Sequence, residues 1–297
     1  MPDRCWNVCI ALSQAKARPL RGFSVSNIAW PFAERLQAYQ LLIEHNVAGL
    51  EIAPGMLFAD AEDAFNPPAA LIRQRLAEIA DVGLTPVSMQ SLLFGVKDVA
   101  LFGNMDQRRA YIAAFGRAIR LAAALNIPHL VLGSPRERAI PDGMPDTEAE
   151  QIAVDMLTRI SELAQVEGCR IGLEPNPAIY GTNFATHTDH AAWLVRKIAH
   201  PGLCLTLDIG NLQINGEMHD LEQIVASNAD VIGHVHLSEP ELVLTPGSAK
   251  MAAQVIKALQ DVDYPNWLSL EMRASGAASC DALLLALARL DSARTLQ

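Results

Sequence analysis

Two histidines stand two residues apart near the end of an apolar run, in the segment "GHVHLSE" at residues 233–239. If this run is a β-strand, residues i and i+2 point to the same face, so His234 and His236 are presented together. An isolated pair of this kind is more often packed and hydrogen-bonded in a protein core than coordinated to a metal. The pair therefore needs acidic partners before it indicates a metal site.

Acidic residues end three other apolar runs in the same half of the chain. Glu174 closes "IGLE", Asp208 closes "LTLD" and Glu271 closes "LSLE". Each carboxylate follows several apolar residues, so each would lie at the rim of a dry core, where an unpaired charge is costly. Any one of these acids could pair with an arginine or a backbone amide. Three of them placed alike, together with His236, favour a shared divalent cation.

The types of these four residues narrow the choice of metal. Three carboxylates, one imidazole and no thiolate suit Mn²⁺ best, with Mg²⁺, Co²⁺ and Zn²⁺ as open alternatives. Such a set also leaves room for a substrate oxygen. Cys169 and Cys204 stand several residues before the strand ends, so we expect their thiols in the core.

The elements that must position these residues form a regular alternation from about residue 23 onward. Eight short apolar runs lie at 22–30, 47–54, 84–91, 128–134, 170–176, 203–210, 231–238 and 266–273. The segments between them, such as "AERLQAYQLLIEHN" at 33–46, repeat apolar residues at i, i+3, i+4 and i+7, as amphipathic helices do. Several of these segments close on Gly or Asn, which is typical of a helix C-terminus.

Eight βα units predict an α/β fold, a (β/α)₈ TIM barrel, because parallel strands need crossover helices and eight strands close around a filled core. We expect residues 23–297 to form this single domain and residues 1–22 to be a loosely attached tail. A doubly wound open sheet would need a glycine-rich turn after the first strand, and "SVSNIAWPFAER" has none. In a TIM barrel, catalytic residues stand at the C-terminal ends of the strands, where these acids fall.

The composition limits the classes of function. The formal net charge of −10 argues against binding a nucleic-acid backbone as the main role, since no surplus of Lys and Arg exists to displace counterions. No uninterrupted apolar run reaches the roughly 18 residues of a membrane span. Five cysteines without CxxC spacing fit a reducing compartment. The sequence therefore predicts a cytoplasmic protein that acts on a small molecule, with no nucleic-acid or membrane partner.

The order Glu174, Asp208, His236 and Glu271, with gaps of 34, 28 and 35 residues, carries a resemblance to a known family. With "LEPNP", "LDIGN", "HVHLSE" and "TPGSAKMAAQVIKALQDVDYPNWLSLEMR", it resembles the sugar phosphate isomerase/epimerase group of the xylose isomerase-like barrels. Ketose 3-epimerases and hydroxypyruvate isomerase are the best-known relatives. The resemblance implies a metal held by these four residues, with the two glutamates as acid and base and His234 as a partner of the ligand His236. Relatives are often dimers or tetramers, which is consistent with a homo-oligomer.

Two positions depart from the ketose epimerases. Those enzymes usually carry a substrate-binding histidine three residues after the strand-six aspartate, where this chain has Asn211, and an arginine six after the strand-seven histidine, where it has Leu242. The substrate is therefore not assigned by analogy. In the loop after strand four, Arg136 and Arg138 could clamp a carboxylate or phosphate. The predicted substrate-binding residues are Glu51, Gln90, Arg136, Asn211 and His234.

Isomerisation or epimerisation of a ketose removes a proton from a carbon next to a carbonyl and returns it elsewhere. A divalent ion that chelates the carbonyl and hydroxyl oxygens would stabilise the enediolate, and carboxylates on opposite sides of the sugar would act as base and acid. Three alternatives stay open. They are a dehydratase of an inosose-like keto-polyol, an abasic-site endonuclease, which would need more zinc ligands and a basic groove, and a non-catalytic sugar-binding protein.

Overall fold

Eight parallel strands pair in chain order, and the first also pairs with the last, so that the sheet closes into a barrel. The computed structural model describes residues 20–274, 276 and 279–296. The strands are β1 Gly22–Ser26, β2 Gly49–Ile52, β3 Thr85–Met89, β4 His129–Leu132, β5 Arg170–Leu173, β6 Leu203–Asp208, β7 Ile232–Ser238 and β8 Trp267–Glu271. The predicted (β/α)₈ barrel is confirmed. Most of the predicted tail, up to residue 19, lies outside the described residues.

Amphipathic helices follow the strands and pack their apolar faces against the barrel. In the described residues they are α1 Arg35–Glu44, α2 Pro54–Leu57, α3 Ala69–Asp81, α4 Met105–Ala124, α5 Asp146–Val166, α6 Thr188–Ile198, α7 Ile209–Ile214, α8 Leu221–Asn228, α9 Ala249–Asp261 and α10 Ser279–Thr295. Tyr111, Phe115 and Ile119 of α4 are buried at a spacing of four residues, which places them on one helix face. None of the helices in this part of the chain combines the length and apolarity of a membrane span.

The helix ends follow local sequence signals, with one difference. Asn104 forms a capping box at the start of α4, and Asn126 takes a left-handed conformation (φ 56°) just beyond its end. The segment at 187–202, "HTDHAAWLVRKIAHPG", is one of the amphipathic segments that close on Gly, which favours a helix end near Gly202. The helix instead ends earlier with Ala199 in the left-handed region (φ 49°), because Pro201 cannot continue a helix.

Polar side chains contact one another inside the barrel, below the C-terminal ends of the strands. Gln90 Nε2 donates to Ser26 Oγ (2.7 Å), and a ring nitrogen of His129 lies 3.1 Å from Thr206 Oγ1. All four residues are buried. The His129 ring stacks on that of His234, with 4.7 Å between centroids. Buried polar groups of this kind persist when they are hydrogen-bonded, so the network holds the side chains above it in place.

Candidate active site

Glu174, Asp208, His236 and Glu271 converge at the C-terminal end of the barrel. Asp208 and Glu271 are the last residues of β6 and β8, Glu174 follows β5 directly, and His236 lies two residues before the end of β7. The strand register pairs Asp208 with His236. One potential ligand atom from each of the four residues lies within 4.8 Å of those of the other three. The structure thus brings together all four residues that the sequence selected as metal ligands.

The imidazole of His236 stands at the centre of this cluster. Its Nδ1 lies 3.0 Å from Glu174 Oε1, 3.0 Å from Glu271 Oε2 and 3.6 Å from Asp208 Oδ2. All four side chains are buried. Within the described residues, no Lys or Arg forms an ion pair with these three carboxylates. Since buried like charges are costly without a partner, a donor set of three carboxylates and one imidazole fits a divalent cation.

The protonation behaviour of the cluster agrees with this fit. Burial raises the pKa of Glu271 to about 7; His236 opposes the shift, and Glu174 and Asp208 add to it. Burial also raises the pKa of Asp208, with a further contribution from the charge of Glu174. Burial alone would lower the pKa of His236, but Glu51 and Glu271 outweigh it and hold that pKa well above its usual value. Without a metal, the cluster therefore retains extra protons, which a cation would replace.

Hydrogen bonds from neighbouring loops orient the carboxylates. Asn176 Nδ2 donates to Glu174 Oε2 (2.8 Å), and the Ser238 hydroxyl lies 2.8 Å from both carboxylate oxygens of Asp208. Arg138 Nη2 donates to Asn176 Oδ1 and to the backbone oxygen of Glu174, each at 2.6 Å. Arg138 is fully buried behind Glu174. The hypothesis that Arg138 clamps an anionic substrate does not match this placement, because Arg138 is fully buried and does not line the cavity above the cluster.

Glu51 lies beneath the cluster of Glu174, Asp208, His236 and Glu271. Its Oε2 is 3.0 Å from Nε2 of both His234 and His236, Ser88 Oγ donates to the same oxygen (2.6 Å), and Gln90 Nε2 donates to Oε1 (3.0 Å). Burial alone would raise the pKa of Glu51, but the charges and hydrogen bonds of His236 and His234 hold it well below its usual range. The carboxylate is therefore ionised and fully enclosed.

A cavity of about 810 Å³ opens above the cluster, and Glu174, Asp208 and Glu271 line it. Arg136 and Asn211, two of the predicted substrate-binding residues, also line the cavity, where a substrate contact is feasible. The other three predicted substrate-binding residues lie behind His236 instead of on the cavity wall; they are Glu51, Gln90 and His234. The physical reason is that Glu51 lies inside β2 rather than at its end, so its inward side chain meets the barrel interior.

Tyr180 and Arg273 are among the cavity-lining residues that sequence reasoning missed. The backbone nitrogen of Arg273 donates to Leu242 O (2.8 Å), and its guanidinium forms no ion pair within the described residues. The Tyr180 hydroxyl accepts from the backbone nitrogen of Glu241 (3.3 Å). Glu241 and Leu242 are consecutive left-handed residues (φ 60° and 56°), a conformation that costs free energy in non-glycine residues. Arg273 follows the strand-eight glutamate by two residues, so its position was open to prediction, whereas Tyr180 follows no pattern.

Known proteins share this architecture. A Xenopus laevis protein named "Putative hydroxypyruvate isomerase" is 23% identical over 273 residues, which cover 88% of this chain and 84% of that protein. The 3-keto-D-glucoside 4-epimerase of E. coli is similar in structure with a TM-score of 0.73 at 16% identity, covering 91% of this chain and 98% of its own. D-Psicose 3-epimerase of Clostridium cellulolyticum H10 has a TM-score of 0.72 at 15% identity, covering 92% and 98%.

These two structural likenesses show the common fold. The model of the family described as the xylose isomerase-like TIM barrel matches residues 39–293, which is most of the 297-residue chain. The protein therefore belongs to the xylose isomerase-like TIM barrel family.

Proposed function

We propose that the protein is a divalent-metal-dependent isomerase or epimerase of a sugar, sugar phosphate or keto-polyol. The observation that carries the proposal is the convergence of four metal-type donors, two of them glutamates, three of which line one cavity. The cavity volume of about 810 Å³ is in the range of small-molecule binding sites. The sugar epimerases and the hydroxypyruvate isomerase named above support the reaction class by analogy. Mn²⁺ is the proposed ion because the donor set is rich in carboxylate oxygen.

Glu174 and Glu271 are the proposed proton-transfer pair. They come from β5 and β8, which β6 and β7 separate along the barrel, and both carboxylates reach the cavity. One carboxylate would accept the proton from the carbon next to the substrate carbonyl, and the other would return a proton, to the opposite face of the same carbon in an epimerisation or to the neighbouring carbon in an isomerisation. When bound, a divalent cation would act as a Lewis acid on the carbonyl and hydroxyl oxygens and stabilise the enediolate.

The neighbouring side chains have supporting parts in this proposal. Asn176 holds the Glu174 carboxylate through Oε2, so that Oε1 stays directed at the cluster. Ser238 holds Asp208, which leaves Asp208 as a ligand without a proton-transfer role. Arg136, Asn211 and Arg273 on the cavity wall would hydrogen-bond the remainder of the substrate.

A panel of ketoses, keto-polyols and their phosphates, incubated in D₂O with the Mn²⁺-loaded protein, tests this function. We expect deuterium at the carbon next to the carbonyl of at least one compound, read by NMR after the Mn²⁺ has been removed. An ultraviolet absorbance typical of an enone would instead indicate a dehydratase. Ligand binding without exchange or product would indicate a sugar-binding protein.

The proton-transfer pair is tested with Glu174→Gln and Glu271→Gln. With metal saturation verified, each variant should lose at least about 10²-fold in turnover, because an amide can still coordinate weakly but cannot accept a proton. Glu241→Gln is the matched control, since Glu241 is a cavity-lining carboxylate outside the cluster, and it should retain most of its turnover. Near-parental turnover in either metal-loaded glutamine variant would place the acid and base elsewhere.

A further inference from the structure

We propose that Glu51 is a positioning residue that holds His236 in the orientation required for metal binding. The inference rests on the proposed metal site and deepens it. Nδ1 of His236 faces Glu174 and Glu271 at 3.0 Å, whereas Nε2 of the same ring lies 3.0 Å from Glu51 Oε2. The ring therefore has one nitrogen toward the metal-ligand cluster and the other toward Glu51.

The two nitrogens of a neutral imidazole have different roles, because one donates a proton and the other offers a lone pair. An ionised carboxylate has only acceptors, so Glu51 selects the form of His236 that carries its proton on Nε2. The lone pair of Nδ1 is then directed at the cluster. A carboxylate behind a ligating histidine fixes its tautomer and ring orientation and raises its basicity.

Glu51 is itself held rigidly. Besides the two histidines, Ser88 and Gln90 donate to its carboxylate at 2.6 and 3.0 Å. Gln90 donates in turn to Ser26. Glu51 is 0% exposed, so its oxygens are shielded from bulk solvent. An acceptor that is held by three other donors, Ser88, Gln90 and His234, can fix the ring of His236.

A second metal site is the alternative use of this region, because Glu51, His234 and His236 also offer ligand atoms within 4.8 Å of one another. The hydrogen bonds argue against it. Oε2 of Glu51 already accepts from Ser88, and Oε1 accepts from Gln90. A second ion would also require His236 to coordinate through both nitrogens and to lose both ring protons. The contacts thus favour a hydrogen-bonding role for Glu51.

The test compares Mn²⁺ affinity in the chelator-treated full-length protein and in Glu51→Gln, by isothermal titration calorimetry. We expect a 10- to 100-fold higher Kd in the variant, which is the usual scale when a hydrogen-bond partner of a metal-ligating histidine is lost. His234→Gln is the matched control. His234 is as buried as His236 and makes the same 3.0 Å contact with Glu51 Oε2, but its removal leaves the Glu51–His236 bond intact. The control should therefore keep the parental Kd.

Glu51→Asp is a second variant, which decides the question if Glu51→Gln does not fold. It keeps the buried charge but withdraws the carboxylate by one methylene, roughly 1.5 Å, and should also weaken Mn²⁺ binding. The visible absorption spectrum of the Co²⁺-loaded variants should change, since it reports the ligand geometry. If the folded Glu51 variants keep the parental Mn²⁺ affinity and Co²⁺ spectrum, the role of Glu51 is overturned while the proposed function stands. An equal loss of affinity in His234→Gln would have the same meaning. A parent protein that binds no Mn²⁺ would overturn the proposed function as well.

Discussion

Glu271 should make the chelator-treated protein less stable as the pH rises, and the structure gives the size of the effect. The Glu271 pKa is raised from 4.5 to about 7, a difference of about 2.5 pH units. At about 1.36 kcal/mol per unit, this corresponds to roughly 3 kcal/mol. Between pH 4.5 and 7 the folded state holds a proton that the unfolded state has already released. The free energy of unfolding therefore falls as pH rises through this window.

The measurement is urea unfolding from pH 4.5 to 8 on the chelator-treated parent and on Glu271→Gln. Burial lowers the pKa of His129 and His234, so these histidines stabilise the fold as pH rises towards 6.5, in the opposite direction. Subtracting the variant from the parent cancels their contribution. The difference should fall by about 3 kcal/mol across the window. This change in the free energy of unfolding belongs to Glu271, Asp208 and His236 together, because the cluster titrates as a unit.

Saturating Mn²⁺ should abolish most of this pH dependence, since the cation replaces the proton as the partner of the carboxylates. A difference that stays constant, or that rises between pH 4.5 and 7, would refute the reasoning. It would show that Glu271 is not held in a repulsive, buried environment.

The remaining predictions concern single side chains. Mn²⁺ should raise the melting temperature of the parent by mass action but not that of His236→Ala, in a thermal-shift assay; an equal shift in both would remove His236 from the site. Gly133→Ala should weaken Mn²⁺ binding, because the added Cβ would stand 2.7 Å from Glu174 Oε2. Gly55→Ala, whose Cβ would meet nothing closer than 3.9 Å, should bind as the parent does. Arg136→Ala should weaken binding of an anionic substrate by about 1.5–3 kcal/mol if a charged hydrogen bond is lost, and unchanged kinetics would show that Arg136 does not contact it.

The barrel and its four proposed metal ligands could be predicted from the sequence for one reason. Strand side chains alternate between the two faces of the sheet, and helix side chains return to the same face every 3.6 residues, so both kinds of element leave a local pattern of apolar residues in the sequence. Asp208 and Glu271 terminate such patterns, and in parallel strands the C-terminal ends all meet at one face. The convergence of side chains far apart in the chain thus followed from local signals alone.

The role of Glu51 did not follow from local signals. "GLE" occurs both at Glu51 and at Glu174, yet Ile52 still belongs to β2, whereas β5 ends before Glu174. Relative to the end of its strand, Glu51 stands two residues earlier than Glu174, and this shift separates a side chain inside the barrel from one on the cavity floor. The sequence does not show where each strand ends to that accuracy.

Arg136 and Arg138 illustrate a second limit. They stand two residues apart in one short 3₁₀ helix, but Arg136 is exposed and Arg138 is fully buried. The difference comes from Asn176, which lies in the loop after β5 and accepts a hydrogen bond from Arg138. Contacts between loops depend on the assembled barrel, so they leave no periodic signal. The same holds for the contact between Tyr180 and Glu241.

The two layers of the site have different freedom to diverge. His236 and Glu51 are embedded in a buried network that extends to Ser88 and Gln90, so an exchange there disturbs several partners at once. Arg273 on the cavity wall follows β8 instead of lying inside the barrel and is not part of this network. An evolving lineage can therefore exchange wall residues and explore new substrates while it inherits the proposed metal-binding interior unchanged. A library intended to change substrate preference would accordingly randomise the wall and leave the network beneath it fixed.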